Sequence, residues 1–313
     1  MTISNNILKN FIFGACNFKE PDGYLTFNRY TDEQIAFYKF SEFYHTRANH
    51  STGITIEFES EANELSFEYK SDFISSDSYT IDVYVNGMVT VIENEVPNKT
   101  FFSCTLPDGK KKVVIYLPGG KQIYIKNFQV DKKIFSTQKN ENVLWIGDSI
   151  TQGYGPSYTS FSYVNIVNRK RNYNLLNQGI GGTGFKKIAL SPIHNFTPEK
   201  IIVSLGTNVL SKDTVIADTD NFFKTLRSLY PSIPILAITP VWRGDEGKDF
   251  DYMKNISDII KNACKKQTIT VIDGYNLIPH LKQMYLPDLV HPNTLGCMHY
   301  AENLLKELEK LDF

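Results

Sequence analysis

The sequence predicts an α/β chain in two parts. An all-β sandwich or jelly roll is expected over residues 1–138, and a three-layer α/β/α domain with a five-stranded parallel sheet over 139–313. Three observations predict this. Residues 51–131 alternate apolar and polar side chains with a period of two, in short segments parted by turn residues. After about residue 139 the alternation gives way to five short, continuous apolar runs. Between those runs, apolar residues recur at helical spacing.

The alternating segments are "GITIEFES", "NELSFEYKS", "YTIDVYVNG", "KKVVIYLPGG" and "KQIYIKNFQV". They are rich in β-branched and aromatic residues and are separated by Asn-Gly, Asp-Gly, Gly-Gly or Ser-Asp, the chemistry of antiparallel strands and tight turns. "VNG" at 85–87 reads as a hairpin turn rather than a ligand site. The first 50 residues have a weaker pattern, and some of them are expected to complete the sandwich. The boundary is placed in the polar stretch "DKKIFSTQKNEN", residues 131–142.

The apolar runs are "VLWI" (143–146), "YNLLNQ" (173–178), "KIIVSLG" (200–206), "IPILAIT" (233–239) and "TITVID" (268–273). Three helical stripes separate or succeed them: Val215, Thr219, Phe222, Phe223, Leu226 and Leu229; Tyr252, Ile256, Ile259, Ile260 and Ala263; and Met298, Ala301, Leu305 and Leu308. Strand and helix in alternation imply a parallel sheet with helical crossovers.

Composition narrows the function. Lys plus Arg number 33 against 34 Asp plus Glu, for a net charge of -1, with no long run of one sign. A nucleic-acid stripe or a polybasic membrane patch is therefore not expected. No run reaches the length needed to span a bilayer. Cys16, Cys104, Cys264 and Cys297 are scattered without CxxC spacing, so neither a disulfide framework nor a metal site is indicated. "FGAC" near the start has the small residues of a lipoprotein cleavage site, but the apolar run before it is short and Lys9 interrupts it. A cytoplasmic location is expected unless a signal segment has been removed. The composition carries no signal for oligomeric state.

In an open parallel sheet, ligands bind at the carboxyl ends of the strands. The residues just after each strand are therefore the candidates for chemistry. Gly147-Asp148-Ser149 succeed the first strand, and Gly179-Ile180-Gly181-Gly182 the second. Gly206-Thr207-Asn208 succeed the third, and Trp242-Arg243 come after the fourth. Asp273 ends the fifth, with Asp288 and His291 beyond it. A serine needs a nearby base to become a nucleophile, and the base needs a group that fixes its tautomer. Asp288 and His291, three apart in one loop, can supply both to Ser149. The donors for an oxyanion would be the N–H of Ser149, the N–H of Gly182 and the amide of Asn208. Read singly, Ser149 is as easily a helix N-cap and His291 an ordinary histidine. Asp148 is read as part of the turn. Asp273 could orient a base, but Asp288 is preferred because it lies nearer His291 in sequence. The other five histidines are read as structural or surface. Trp242 and Arg243 are candidate walls of a substrate pocket, or simply surface loop.

At these residues the sequence resembles the SGNH (GDSL-type) hydrolase superfamily, whose four blocks occur in order. "GDSIT" resembles the first and matches Ser149 to the nucleophile. "NQGIGGTG" resembles the second and matches Gly182, or neighbouring Gly181, to the oxyanion glycine. "GTN" resembles the third, with Asn208 as oxyanion amide, and "DLVHP" the last, with Asp288 and His291 as acid and base. Val209 departs from the pattern, since many members carry Asp there. The resemblance implies a flavodoxin-like catalytic domain, a serine esterase with no metal or other cofactor. Preceded by a sandwich, it is similar to carbohydrate esterase family 2, which implies removal of acetyl from a sugar and a small-molecule or glycan ester as substrate. The alternatives are a lipid-directed esterase or thioesterase of lysophospholipase type, and a carbohydrate-binding module carrying a weak hydrolase.

Overall fold

The computed structural model describes residues 1–71, 80–94, 100–208, 214–245 and 250–313. The chain folds as two compact units. One comprises Met1–Asn140 with Tyr158–Ser160 and Asn174–Leu176; the other comprises Glu141–Ser157, Phe161–Tyr173 and Asn177–Phe313.

The N-terminal unit holds two six-stranded sheets whose pairings are antiparallel. In spatial order the first runs Asn17–Lys19, Leu25–Asn28, Ile123–Val130, Glu64–Ser71 and Phe101–Thr105, with Thr2–Ile3 added to Ile123–Val130. The second runs Ile134–Phe135, Thr55–Ser60, Lys111–Tyr116, Thr80–Val85 and Met88–Asn94, with Ile12–Phe13 added to Thr55–Ser60. Alternate residues of both sheets meet in one apolar core. At its centre Phe67 stacks on Phe102 and Phe128, with ring centroids 5.0 and 5.8 Å apart. The expected hairpin at 85–87 is present: Val85 pairs with Met88, and both Asn86 and Gly87 have positive φ, as a two-residue loop of this hand requires.

The unit is not all-β, which corrects the expectation from sequence. Asp32–Tyr38 and Glu42–Ala48 are helices. The first begins in a reciprocal capping box, Thr31 with Gln34, around Asp32 and Glu33. That "TDEQ" signal stands in the sequence, but aromatic residues crowd the segment and blur its helical period.

Within residues 139–313 all five apolar runs form strands: β1 (Asn142–Gly147), β2 (Asn174–Gly179), β3 (Lys200–Ser204), β4 (Ile235–Ile238) and β5 (Thr270–Ile272). The sheet order is β2-β1-β3-β4-β5, a flavodoxin-like order whose switch point lies between β1 and β3. The helices are α1 (Ser149–Gln152), α2 (Tyr163–Arg171), α3 (Val215–Leu229), α4 (Phe250–Lys266) and α5 (Thr294–Lys310). The α3 stripe is buried at Val215, Thr219, Phe222, Phe223 and Leu226. In α4, Ile256, Ile260 and Ala263 are buried, while the Tyr252 side chain lies outside the described residues.

The third stripe needs correction. Met298 is 45% exposed, and the buried face of α5 is instead Cys297, Tyr300, Ala301, Leu304 and Leu308. The helix is rotated because Tyr300 belongs inside. Its ring stacks on Tyr163 at 3.9 Å, and its hydroxyl meets Ser204 Oγ at 3.2 Å. A tyrosine can be buried when its hydroxyl finds a partner. No helix among the described residues is long and apolar enough to cross a membrane.

Candidate active site

The apolar β1, with Trp145 fully buried, delivers Gly147-Asp148-Ser149 to the carboxyl edge of the sheet at the switch point. Ser149 is the first residue of α1, not its cap. The N-cap is Asp148, whose side chain accepts the Ile150 N–H at 3.0 Å. This helix is a single turn, so its dipole adds less at the serine than a long helix would. Ser149 Oγ lies 2.8 Å from His291 Nε2.

His291 sits in a loop closed like a hairpin. Tyr285 and Pro292 form an antiparallel bridge, and Leu286 N–H donates to the His291 carbonyl at 2.8 Å. Between Asp288 and His291, Leu289 has φ +60°, a conformation that side chains adopt rarely and that the surrounding bonds must hold. Asp288 Oδ2 accepts from His291 Nδ1 at 2.7 Å. Its other oxygen accepts the N–H groups of Val290 and His291 at 2.9 and 3.0 Å. Burial pushes the Asp288 carboxyl upward, but these hydrogen bonds from His291 and Val290 outweigh it and hold the group below its ordinary value. Asp288 is thus a carboxylate with one oxygen on the imidazole, and the chain Asp288–His291–Ser149 is continuous.

Two residues that the motifs do not include brace His291. Tyr154 packs edge-to-face on the His291 ring, centroids 4.4 Å apart. Gly155 has φ +121°, and a Cβ there would lie 2.1 Å from the Pro292 carbonyl oxygen. Only a residue without a side chain allows the backbone that close. The "YG" pair shortly after the serine is the one sequence signal that could have found them.

The expected oxyanion donors come from neighbouring turns. Ile180, Gly181, Gly182 and Thr183 form a β-turn closed by Thr183 N–H on the Ile180 carbonyl, with Gly182 at φ +77°. The alternative donor, Gly181 N–H, is engaged by Gln152 Oε1 at 2.7 Å. Asn208 Nδ2 points to the Thr183 carbonyl at 3.5 Å, which brings the third block beside the second. Val209 lies outside the described residues.

Asp148 is 2% exposed. Burial pushes its carboxyl up to about 6, against the pull of the Ile150 N–H, His291 and the Thr207 hydroxyl. The ordinary value is 3.8, so the folded chain holds this proton more tightly than the unfolded chain does. The burial penalty is therefore absent below about pH 4, grows as pH rises to about 6, and is constant above. A rise of that size corresponds to about 3 kcal/mol. Asp148→Asn is expected to escape that penalty. In urea unfolding, wild type should lose about 3 kcal/mol relative to the variant between about pH 4 and pH 7. A wild-type-minus-variant difference that stays level across that range would refute this.

The remaining candidates divide. Asp273 is not brought to His291; it pairs with Lys261 at 2.6 Å and caps Tyr275. Arg243 grips Asp245 and donates to the Thr207 carbonyl at 3.3 Å. The half-buried Trp242 stacks on His280, centroids 5.2 Å apart, and is met edge-on by Tyr285. His50 is buried, and burial lowers it to about 3.

Residues 145–297 match the model of the GDSL-like Lipase/Acylhydrolase family. No curated protein matches the sequence. Among solved structures, the chain is similar to a salicylyl-acyltransferase from a tetracycline biosynthetic pathway, with TM-score 0.80 and 19% identity over 96% of this chain and 94% of that one. It is similar to a family two carbohydrate esterase from Clostridium thermocellum solved with cellohexaose, with TM-score 0.68 and 16% identity over 96% and 98%. An acetyl xylan esterase from the rumen bacterium Butyrivibrio proteoclasticus gives TM-score 0.66 and 15% identity over 100% and 98%. At these identities the likeness is one of fold.

Proposed function

We propose that this GDSL-like acylhydrolase domain is a serine esterase that removes short acyl groups, foremost O-acetyl from a carbohydrate. The observation that carries the reading is the relay of 2.8 Å from Ser149 to His291 and 2.7 Å from His291 to Asp288. Ser149 Oγ attacks the acyl carbon while its proton passes to His291 Nε2. Asp288 holds the proton on Nδ1 and stabilises the imidazolium. The N–H groups of Ser149 and Gly182 and the amide of Asn208 receive the oxyanion. The imidazolium then protonates the departing alcohol, leaving an acyl-enzyme. Water, deprotonated by His291, releases the acid and restores Ser149.

In this reading, residues 1–138 form an accessory module of jelly-roll type and 139–313 the catalytic domain. Support for a carbohydrate ester is architectural: two chains of similar fold are carbohydrate esterases by name. Fold is a weak guide to substrate, so the test is direct. Acetate release is measured from acetylated xylo-oligosaccharides and cello-oligosaccharides, beside a 4-nitrophenyl ester series from acetyl to octanoyl. The expected result is acetate release from a glycan and a kcat/KM that falls as the acyl chain grows. A kcat/KM that rises with chain length, with no acetate from any glycan, would transfer the site to a lipid ester or thioester.

A further inference from the structure

We propose that Arg243 is a positioning residue of this site, holding the turn that carries Asn208 by way of the Thr207 carbonyl; the inference rests on the esterase reading above.

The guanidinium is fixed before it reaches Thr207. Arg243 Nε and Nη2 form a fork on Asp245, at 2.9 and 2.6 Å. A two-pronged contact sets the plane of the group as well as its place. The remaining nitrogen, Nη1, donates to the Thr207 carbonyl oxygen at 3.3 Å. That oxygen belongs to the peptide joining Thr207 to Asn208, so the bond sets the direction in which Asn208 leaves the backbone. The same turn is also held by its neighbours. Gly206 has φ +126°, and a Cβ there would meet Pro240 Cγ at 2.8 Å. The Thr207 hydroxyl donates to Asp148.

The residues flanking Arg243 serve the other side of the site. The Trp242 carbonyl accepts the Tyr285 hydroxyl. Gly244 N–H donates to the Leu289 carbonyl, between acid and base, at 2.7 Å. Three consecutive residues, none of them in the proton relay, thus fasten the oxyanion turn and the base loop to one short segment after β4. Three of the five guanidinium N–H groups of Arg243 are thus engaged within the protein.

The test is a double-mutant cycle on the full chain with 4-nitrophenyl acetate. Asn208→Ala is expected to lower kcat by about 10² to 10³. Arg243→Met should lower kcat by about 10- to 100-fold and leave KM within about twofold, because misplacing one oxyanion donor weakens only the transition state. Arg243→Lys, which keeps a donor for the carbonyl, should fall between Arg243→Met and wild type. The double variant should be no slower than Asn208→Ala alone, since the one residue acts through the other. Losses that multiply would overturn the proposal. So would a raised KM with unchanged kcat, the signature of a substrate wall. If Arg243→Met does not fold, Asp245→Asn, which breaks the fork with Arg243 in place, takes its part in the cycle. Wild-type turnover in Ser149→Ala would remove the esterase reading itself; a required Ser149 with a multiplicative cycle removes only the role of Arg243.

Discussion

Ser149→Ala is expected to lower kcat for 4-nitrophenyl acetate by about 10⁶, the scale set when a serine–histidine pair loses either member. The size stems from the relay. His291 Nε2 has one reacting partner, the Ser149 oxygen 2.8 Å away. Without it, no acyl-enzyme forms and the base can act only on water. A residual rate of about 10³ to 10⁴ over solution should survive, because the oxyanion donors remain in place. His291→Ala should be about as slow, and the double variant no slower than either. The fold should persist. Ser149 is 8% exposed, α1 keeps its Asp148 cap, and the lost atom leaves no buried charge behind. Circular dichroism should overlay wild type. Turnover within about tenfold of wild type in a folded Ser149→Ala chain would end the nucleophile assignment.

The residues of the relay can be read from the chain because each obeys a rule that sequence can express. Ser149 comes after an apolar run, and Asp288 and His291 share a short loop. The spacing of Asp288 and His291 suggests how those two meet, while Ser149 is drawn to them only by the rule that the strand ends of a parallel sheet share one edge. The parts that escape such reading are made of backbone. Gly155 matters through a close approach to the Pro292 carbonyl, and Gly244 through an N–H on Leu289. Nothing in a glycine names the carbonyl it approaches. Arg243 illustrates the same point with a side chain: its type suggests a pocket, while its partners are the Thr207 carbonyl and Asp245. The α5 stripe shows a different limit. Hydropathy ranks Met298 and Leu305 above Tyr300, yet Tyr300 is buried because Tyr163 and Ser204 satisfy it. Periodicity finds a helix more surely than it finds the helix's inward face when a polar aromatic residue faces in.

Asp288→Asn should be the second-largest loss, about 10⁴ in kcat. The carboxylate does two things that can be separated. Through Oδ2 it accepts the Nδ1 proton at 2.7 Å, leaving Nε2 unprotonated toward Ser149. Through Oδ1 it accepts the N–H groups of Val290 and His291, which keeps the loop closed around Leu289 at φ +60°. Asparagine can keep the second role, with its oxygen on the two N–H groups. It then presents an N–H to the imidazole, which must turn Nδ1 into an acceptor and carry its proton on Nε2. That tautomer cannot take the serine proton, so kcat falls while KM changes little. Asp288→Ala removes both roles. It should be comparably slow but unfold at a lower temperature than Asp288→Asn, because two backbone donors and a left-handed leucine lose their restraint. The pH profile adds a check. Asp288 stays ionised down to below the ordinary carboxylate range, so titration of this group should leave no inflection in wild-type kcat/KM above about pH 4. A folded Asp288→Asn chain that retained about a tenth of wild-type kcat would show that the tautomer is set by another group, and the acid of the relay would have to be sought elsewhere.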